Sequence, residues 1–138
     1  MAAIFNSPSK YIQGPDELAK LGSYVEPLGA KALVIVTPSG KKRVGAKIEG
    51  GFAEAKAELL FEDFNGECSK GEVDRLVVLA RDNGCDIIVG VGGGKILDTA
   101  KAVAYYLESP VIICPTIAST DAPCSALSVL YTDDGQFD

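Results

Sequence analysis

Residues 86–95 read DIIVGVGGGK, and the fold class can be inferred from this segment. Its first part, Asp86 to Val91, is apolar on both faces of a strand, as in a parallel sheet that is covered on both sides. Glycines follow at once, and Lys95 to Leu107 has the residue pattern of a helix. The stretch therefore predicts one strand–turn–helix unit of an α/β sheet.

Further strands and helices alternate on both sides of this unit. The other predicted strands are Lys31–Val36, Ala57–Phe64 and Val111–Cys114. Pro15 to Leu21 opens like a helix. Ser69 followed by Glu72 is typical of a capping box, and the helix that it starts should end near Asn83-Gly84. This βαβαβ series predicts a doubly wound, Rossmann-like parallel sheet.

The last part of the chain departs from this alternation. Ser128–Thr132 has strand character, and Asp133-Asp134-Gly135 is a strong hairpin turn. The chain ends three residues later, at Asp138, so the hairpin is expected to be cut short. We therefore expect residues 1–138 to be one domain of a longer protein, with an unpaired strand that promotes self-association into a homo-oligomer.

Composition and charge narrow the classes of function. The net charge of −6 argues against a nucleic-acid surface, which needs clustered Lys and Arg. No apolar stretch approaches the roughly 20 residues that span a bilayer. The first residues lack the charged start and apolar run of a signal peptide, which predicts a soluble cytoplasmic protein. The four cysteines are far apart without a CxxC pair, so neither a disulfide nor a zinc role is expected.

The sequence contains no histidine. Histidine is the commonest general base near neutral pH and a favoured ligand of transition metals. Serine–histidine hydrolysis and histidine–zinc chemistry are therefore excluded within this chain, whereas cofactor binding is not. No complete catalytic set and no metal site is predicted from these residues.

The glycine-rich loop is the main candidate site. Glycines between a strand and a helix let backbone N–H groups approach a ligand, and the positive end of the helix favours a pyrophosphate. The loop is not a Walker A motif, because Val89 stands at the first glycine position and Ile96 replaces the Ser/Thr. A merely tight turn remains the alternative, but three consecutive glycines exceed what a turn requires. The predicted pyrophosphate ligands are Gly92, Gly93, Gly94 and Lys95.

Two further groups of polar residues lie nearby. Asp98, one turn into the helix, either stabilises the positive helix end or orients Lys95. Pro115–Leu127 follows the next strand and carries five hydroxyl or carboxyl side chains within ten residues. Ligands of open α/β sheets bind at the carboxyl edge, where this segment begins. Taken alone, it is equally compatible with an ordinary polar loop.

Together, GGGKILDTAKA (residues 92–102) and PTIASTDAPCSALSVLYTDDGQFD (residues 115–138) resemble the N-terminal domain of glycerol dehydrogenases, in the group of iron-containing and related polyol dehydrogenases. Residues 7–14 and 66–69 resemble that family too. The resemblance implies NAD-linked oxidation of glycerol to dihydroxyacetone, with Asp121 contacting the substrate. It also implies that residues 1–138 are one dinucleotide-binding domain of a longer two-domain enzyme, and that the enzyme holds zinc, whose ligands come from a helical domain that this chain lacks. The positions that it implies for cofactor binding, beyond the glycine-rich loop, are Thr116, Ser119, Ser125, Leu127 and Tyr131.

One position departs from the family. An acidic residue that contacts the adenosine ribose commonly follows the strand that ends here at Val36, and Thr37-Pro38 takes its place. Thr37 is therefore a candidate cofactor residue with weaker discrimination against NADP. Two other interpretations stay open. The chain is a non-catalytic or self-associating truncated module, or it is a flavodoxin-like or cyclase-like binding domain, which the PTIASTDAP segment disfavours.

Overall fold

The structure is a computed structural model that describes residues 10–13, 20–53, 55–66, 69–115 and 126–130, with the backbone alone for 10–13, 43 and 126–130. The strands within these ranges are β1 (Lys10–Gln13), β2 (Lys31–Val36), β3 (Glu58–Asp63), β4 (Ile87–Gly92), β5 (Val111–Pro115) and β6 (Ala126–Leu130). The helices are α1 (Leu21–Val25), α2 (Pro38–Phe52), α3 (Lys70–Asp82) and α4 (Gly94–Leu107). The predicted strands are confirmed, and of the predicted helix at residues 15–21 only the last two residues are described.

One sheet contains all the described strands, in the order β1-β6-β5-β4-β2-β3. The strands β3, β2, β4 and β5 are mutually parallel, whereas β6 is antiparallel to β5 and β1 to β6. Apolar residues fill both faces of the parallel part. One core contains α3, α4, Leu33 and Ile88, and the other contains α1, α2, Val34 and Val89. Helices cover both faces, which confirms the doubly wound, Rossmann-like fold.

The starts of two helices have side-chain caps. Ser69 Oγ accepts a hydrogen bond from Glu72 N at 3.2 Å, so the predicted start of α3 is correct. The second half of the predicted capping box is wrong, because the Glu72 carboxylate accepts from Asn65 N and pairs with Arg75 instead. The helix ends before Gly84, which has a φ of +70°. The start of α2 is capped in the same way by Thr37, a helix that the sequence pattern did not predict.

The expectation of an unpaired strand near the end of the chain is wrong. Ser128 of β6 pairs with Ile113 of β5 on one side and with Tyr11 of β1 on the other. The short segment Lys10–Gln13, in which no strand was predicted, provides the second partner. The sheet has no open edge at β6 to support association between copies. The turn at residues 133–135 lies outside the described residues.

The cysteine prediction is half right. Cys85 is a free, buried thiol, and burial raises its pKa. Cys114 is disulfide-bonded, contrary to expectation, and its partner lies outside the described residues. The spacing of cysteines along a sequence does not report which of them the fold brings together.

Candidate functional site

The chain reverses its direction of winding between β2 and β4. From β2 it continues through α2 to β3, and from β4 it continues through α4 to β5 on the other side of the sheet. The two helices cover opposite faces. Because β2 and β4 are parallel neighbours, with Ile35 opposite Gly90, their carboxyl ends lie side by side. Such a switch point leaves a crevice in which open α/β sheets bind ligands.

Two glycines bring the end of β4 close to α4. A Cβ at Gly90 would lie 2.7 Å from the Cβ of Ala100, so only glycine allows this contact between strand and helix. Gly92 has a φ of +146°, a conformation that side chains rarely adopt, and its Cβ would lie 2.7 Å from Ile96 Cδ1. Both positions are structural, because they aim the following residues at the crevice.

The next two glycines face open space. Apart from the chain neighbours and the backbone of α4 itself, no atom of the described residues lies within 4 Å of a Cβ built at Gly93 or Gly94, so within that part of the chain these residues leave room that side chains would otherwise fill. Gly93 is the N-cap of α4, where no side chain accepts a hydrogen bond from the helix. The other two long helices, α2 and α3, are by contrast capped by Thr37 and Ser69. The start of α4 thus combines an open surface with the positive end of a helix dipole, which favours an anion, and the phosphate site itself stays a prediction.

Polar side chains on the first turns of α4 have different environments. Lys95 is exposed at the start of the helix, beside Gly94. Thr99 is buried and donates a hydrogen bond from Oγ1 to Lys95 O at 2.8 Å. Asp98 is exposed and lies beyond the first turn, so it does not cap the helix end. No side-chain hydrogen bond or ion pair engages Asp98 within the described part of the chain, and its role in orienting Lys95 or the loop amides stays a prediction.

Thr37 lies at the carboxyl end of β2, two residues beyond the pair formed by Ile35 and Gly90. Its Oγ1 accepts a hydrogen bond from Gly40 N at 3.0 Å and lies 3.3 Å from Ser39 Oγ. The first turn of α2 contains no acidic residue. The structure thus brings Thr37 next to the glycine-rich loop, and its hydroxyl is committed to capping α2.

A buried ion pair fixes the neighbouring end of β3. Glu72 is only 3% exposed and accepts two hydrogen bonds from Arg75, at 2.8 and 2.7 Å. Arg75 also donates to Glu62 Oε2 and to the carbonyl of Asp63. The bonds from Arg75 hold the pKa of Glu72 below its ordinary value, although burial opposes this shift. This cluster was not predicted, because its only signal in the sequence is the i,i+3 spacing of Glu72 and Arg75.

The remaining predicted site residues follow β5. Pro115, the last residue of β5, lies opposite Gly92, so the polar segment starts beside the glycine-rich loop. Because β6 is antiparallel to β5, the backbone of Leu127 also lies at this edge. Five predicted residues lie outside the described residues and stay predictions: Thr116, Ser119, Asp121, Ser125 and Tyr131.

Three other features bear on function. The described residues contain no group of three or more His, Cys, Asp or Glu side chains that could hold a metal ion. None of the described helices is both long and apolar enough to cross a bilayer. A cavity of ≈ 470 Å³ lies at the far end of α2, opposite the switch point, and is lined by Lys20, Ser23, Glu26, Gly50, Gly51, Ala53 and Ala55. That cavity is therefore not part of the candidate site.

The fold and the loop define an α/β domain of Rossmann-like architecture with a glycine-rich loop at its switch point. The chain belongs to the iron-containing alcohol dehydrogenase family, whose model matches residues 8–137. The glycerol dehydrogenase of Pseudomonas putida is 54% identical over 147 residues, and that of Escherichia coli O6:H1 is 50% identical. The chain spans only 38% of the length of either relative, although the whole of it is matched.

Solved structures agree with this assignment. The crystal structure of glycerol dehydrogenase from Schizosaccharomyces pombe has a TM-score of 0.75 and 38% identity, over 99% of this chain and 35% of that one. A probable glycerol dehydrogenase from Sinorhizobium meliloti has a TM-score of 0.72 and 43% identity, over 89% of this chain and 33% of that one. The resemblance found in the sequence is thus confirmed at the level of the family.

Proposed function

We propose that this chain binds NAD at the switch point and is the dinucleotide-binding part of a glycerol dehydrogenase. The observation that carries the proposal is the open space at Gly93 and Gly94, at a helix start without a side-chain cap. A pyrophosphate there would accept hydrogen bonds from the first N–H groups of α4, and Lys95 would add a positive charge. When bound, NAD supplies the acceptor for a hydride from the alcohol.

The adenosine half of NAD would extend from the glycine-rich loop towards Thr37, and the nicotinamide half towards β5. This direction is supported by the register of the sheet, which places β2 and β5 on opposite sides of β4. It is also supported by the polar segment after Pro115, in which the family resemblance implies a contact between Asp121 and the substrate. The substrate proposed for this edge is glycerol, on the strength of the relatives.

The described residues do not fit the zinc ion that the family resemblance implies. They provide no cluster of ligands, and the sequence has no histidine. No step of the proposal therefore passes through a metal on this chain. We propose that zinc ligands, as well as the helical domain, are supplied from outside these residues.

The test of this proposal separates binding from turnover. For the 138-residue chain, we expect calorimetry to show binding of NAD and ADP-ribose, and a glycerol–NAD assay with added zinc to show no turnover. Circular dichroism would establish that the chain is folded. Failure of the folded chain to bind either nucleotide would overturn the proposed site. Turnover that persists after any longer enzyme has been removed would overturn the expected inactivity.

We predict weak discrimination against NADP. The Thr37 loop carries no carboxylate to repel a 2′-phosphate, and the start of α2 favours an anion. We expect NAD to be preferred by less than about a hundredfold, or about 2.7 kcal/mol. Thr37→Asp should raise the preference, because Asp caps a helix as well as Thr does. Ser69→Asp, at the cap of α3, is the matched control, and titration of both proteins with both cofactors is the measurement.

An unchanged NAD-to-NADP ratio in Thr37→Asp would show that the ribose lies elsewhere. A wild-type preference for NAD far above a hundredfold would contradict the prediction directly. The control should leave the ratio unchanged, since Ser69 begins a different helix and lies after β3.

We also propose a homo-oligomeric, cytoplasmic protein. The acidic composition and the relatives support a cytoplasmic location, whereas the disulfide at Cys114 counts against it, because disulfides are rare there. Because β6 is paired on both sides, it no longer supports self-association. The structural support is instead β3, which is an edge strand of the described sheet. Light scattering at several concentrations tests it, and a monomer throughout would refute it.

A further inference from the structure

Asp63 is an exposed carboxylate at the carboxyl edge of the sheet, and the proposed function assigns it no role. It is the last residue of β3, and its partner across the sheet is Val36, the last residue of β2. Its side chain makes no hydrogen bond or ion pair within the described part of the chain. An exposed acid beside a proposed nucleotide site is a candidate for recognising the ligand.

The main chain around Asp63 is held firmly. Its carbonyl accepts a hydrogen bond from Arg75 Nη2 at 3.1 Å. The next residue, Phe64, donates a hydrogen bond from its backbone N–H to Val36 O at 2.9 Å. Asn65 N donates to the buried carboxylate of Glu72. The exposed side chain therefore stands on a backbone that is fixed on both sides.

The direction of Asp63 follows from the alternation of β3. Phe61, two residues earlier, packs in the core on the α2 side, and Lys41 of α2 lies over its ring at 4.9 Å from the centroid. Glu62, on the other face, pairs with Arg75 of α3. Successive residues of a strand point to opposite faces, so Asp63 lies on the α2 side, next to the loop that starts at Thr37.

The order of the strands matches the order of chemical groups in the adenosine half of the cofactor. Parallel neighbours lie about 4.8 Å apart, so the carboxyl ends of β4, β2 and β3 form a row about 10 Å long. A dinucleotide whose pyrophosphate lies at Gly93 would place its ribose near Thr37 and its adenine at the end of β3.

We propose that Asp63 recognises adenine by accepting a hydrogen bond from its exocyclic amino group. An ionised carboxylate only accepts hydrogen bonds, and the amino group is the donor on that edge of adenine. A base with an oxygen in place of the amino group would instead face the negative charge of Asp63. The inference rests on the proposed function and adds to it a residue that determines which base is bound.

The test compares NAD with nicotinamide hypoxanthine dinucleotide, in which oxygen replaces the amino group. In the intact wild-type protein, we expect NAD to bind about tenfold more tightly than nicotinamide hypoxanthine dinucleotide, which corresponds to roughly 1.4 kcal/mol. Asp63→Asn should bring the ratio close to one, because an amide can also donate to the oxygen. Asp82→Asn, which changes another exposed acid at the end of α3, is the matched control and should keep the wild-type ratio.

Each outcome has a distinct meaning. A ratio that is unchanged in Asp63→Asn would overturn the inference while leaving NAD binding intact. A variant that gains NADP affinity, with the hypoxanthine ratio unchanged, would show that Asp63 contacts the ribose and would also overturn it. Failure of the folded wild-type protein to bind either dinucleotide would overturn the proposed function itself.

Discussion

Replacing Gly93 by Val should weaken NAD and ADP-ribose binding by at least a hundredfold, or about 2.7 kcal/mol, while the fold is kept. The backbone at this position is extended, with a φ of −86° and a ψ of −174°, which a β-branched residue adopts readily. Among the described residues, no atom beyond the neighbouring backbone lies within 4 Å of a Cβ there, so we expect the new side chain to enter the space proposed for the pyrophosphate. Calorimetric titration measures the affinity, and thermal unfolding measures the stability.

The matched control for this substitution is Gly71→Val. Gly71 lies in the first turn of α3, and a Cβ built there also meets no atom of the described residues within 4 Å beyond the neighbouring backbone. The control therefore places valine at a similarly open helix start without touching the switch point. Equal nucleotide affinity in a folded Gly93→Val protein and in the control would refute the placement of the pyrophosphate at α4.

The sequence predicted the central βαβ unit well because its signals are local. An apolar run, consecutive glycines and an amphipathic stretch predicted β4, the loop and α4 to within about two residues, the usual uncertainty of such boundaries. Gly90 and Gly92 have the same reason for being glycine, since each would clash with α4 if it had a side chain. What local signals could not distinguish was the role of each glycine. Two of them shape the turn, and two leave space for a ligand.

The elements that the sequence did not predict depend on other parts of the chain. Helix α2 contains four glycines, each of which costs up to about 1 kcal/mol relative to alanine in a helix: Gly40, Gly45, Gly50 and Gly51. Its visible signals were Thr37 at the cap and Pro38 at the first position, and its stability comes from packing Val44 and Ile48 against the sheet.

The pairing of β6 with β1 joins segments more than a hundred residues apart, with Lys10 opposite Val129. No periodicity in either segment reports such a contact, which is why β6 was expected to be unpaired. The same limit applies to Glu72. Its spacing from Ser69 indicated a capping box, but the contacts that engage its carboxylate come from Arg75 and from the loop at Asn65. Tertiary contacts have overridden the local motif.

Acid should destabilise the fold through Glu72. Its pKa is lowered from the ordinary value of 4.5, chiefly by the hydrogen bonds from Arg75. A carboxyl group whose folded-state pKa is lowered contributes stability that is present above the unfolded value and is lost as pH falls through the folded value. We therefore expect the free energy of unfolding to decrease below pH 4.5 in the wild type, and to lose this component in Glu72→Gln.

At neutral pH, removal of Arg75 should lower the free energy of unfolding by more than the protonation of Glu72 does in acid. Arg75→Met would leave the carboxylate of Glu72, 3% exposed, with the single hydrogen bond from Asn65 N. Leaving one partner of a buried ion pair uncompensated costs about 3–5 kcal/mol, and we expect the lower end, because the Arg75 side chain is 43% exposed. Chemical unfolding at pH 7 is the measurement.

Lys70→Met is the control, since the Lys70–Asp74 pair is 87% and 57% exposed and should contribute less than about 1 kcal/mol. The double variant Glu72→Leu with Arg75→Met should recover part of the loss, because it removes the orphaned charge as well as its partner. Equal unfolding free energies for Arg75→Met and Lys70→Met would show that the buried pair does not hold the end of β3 in place.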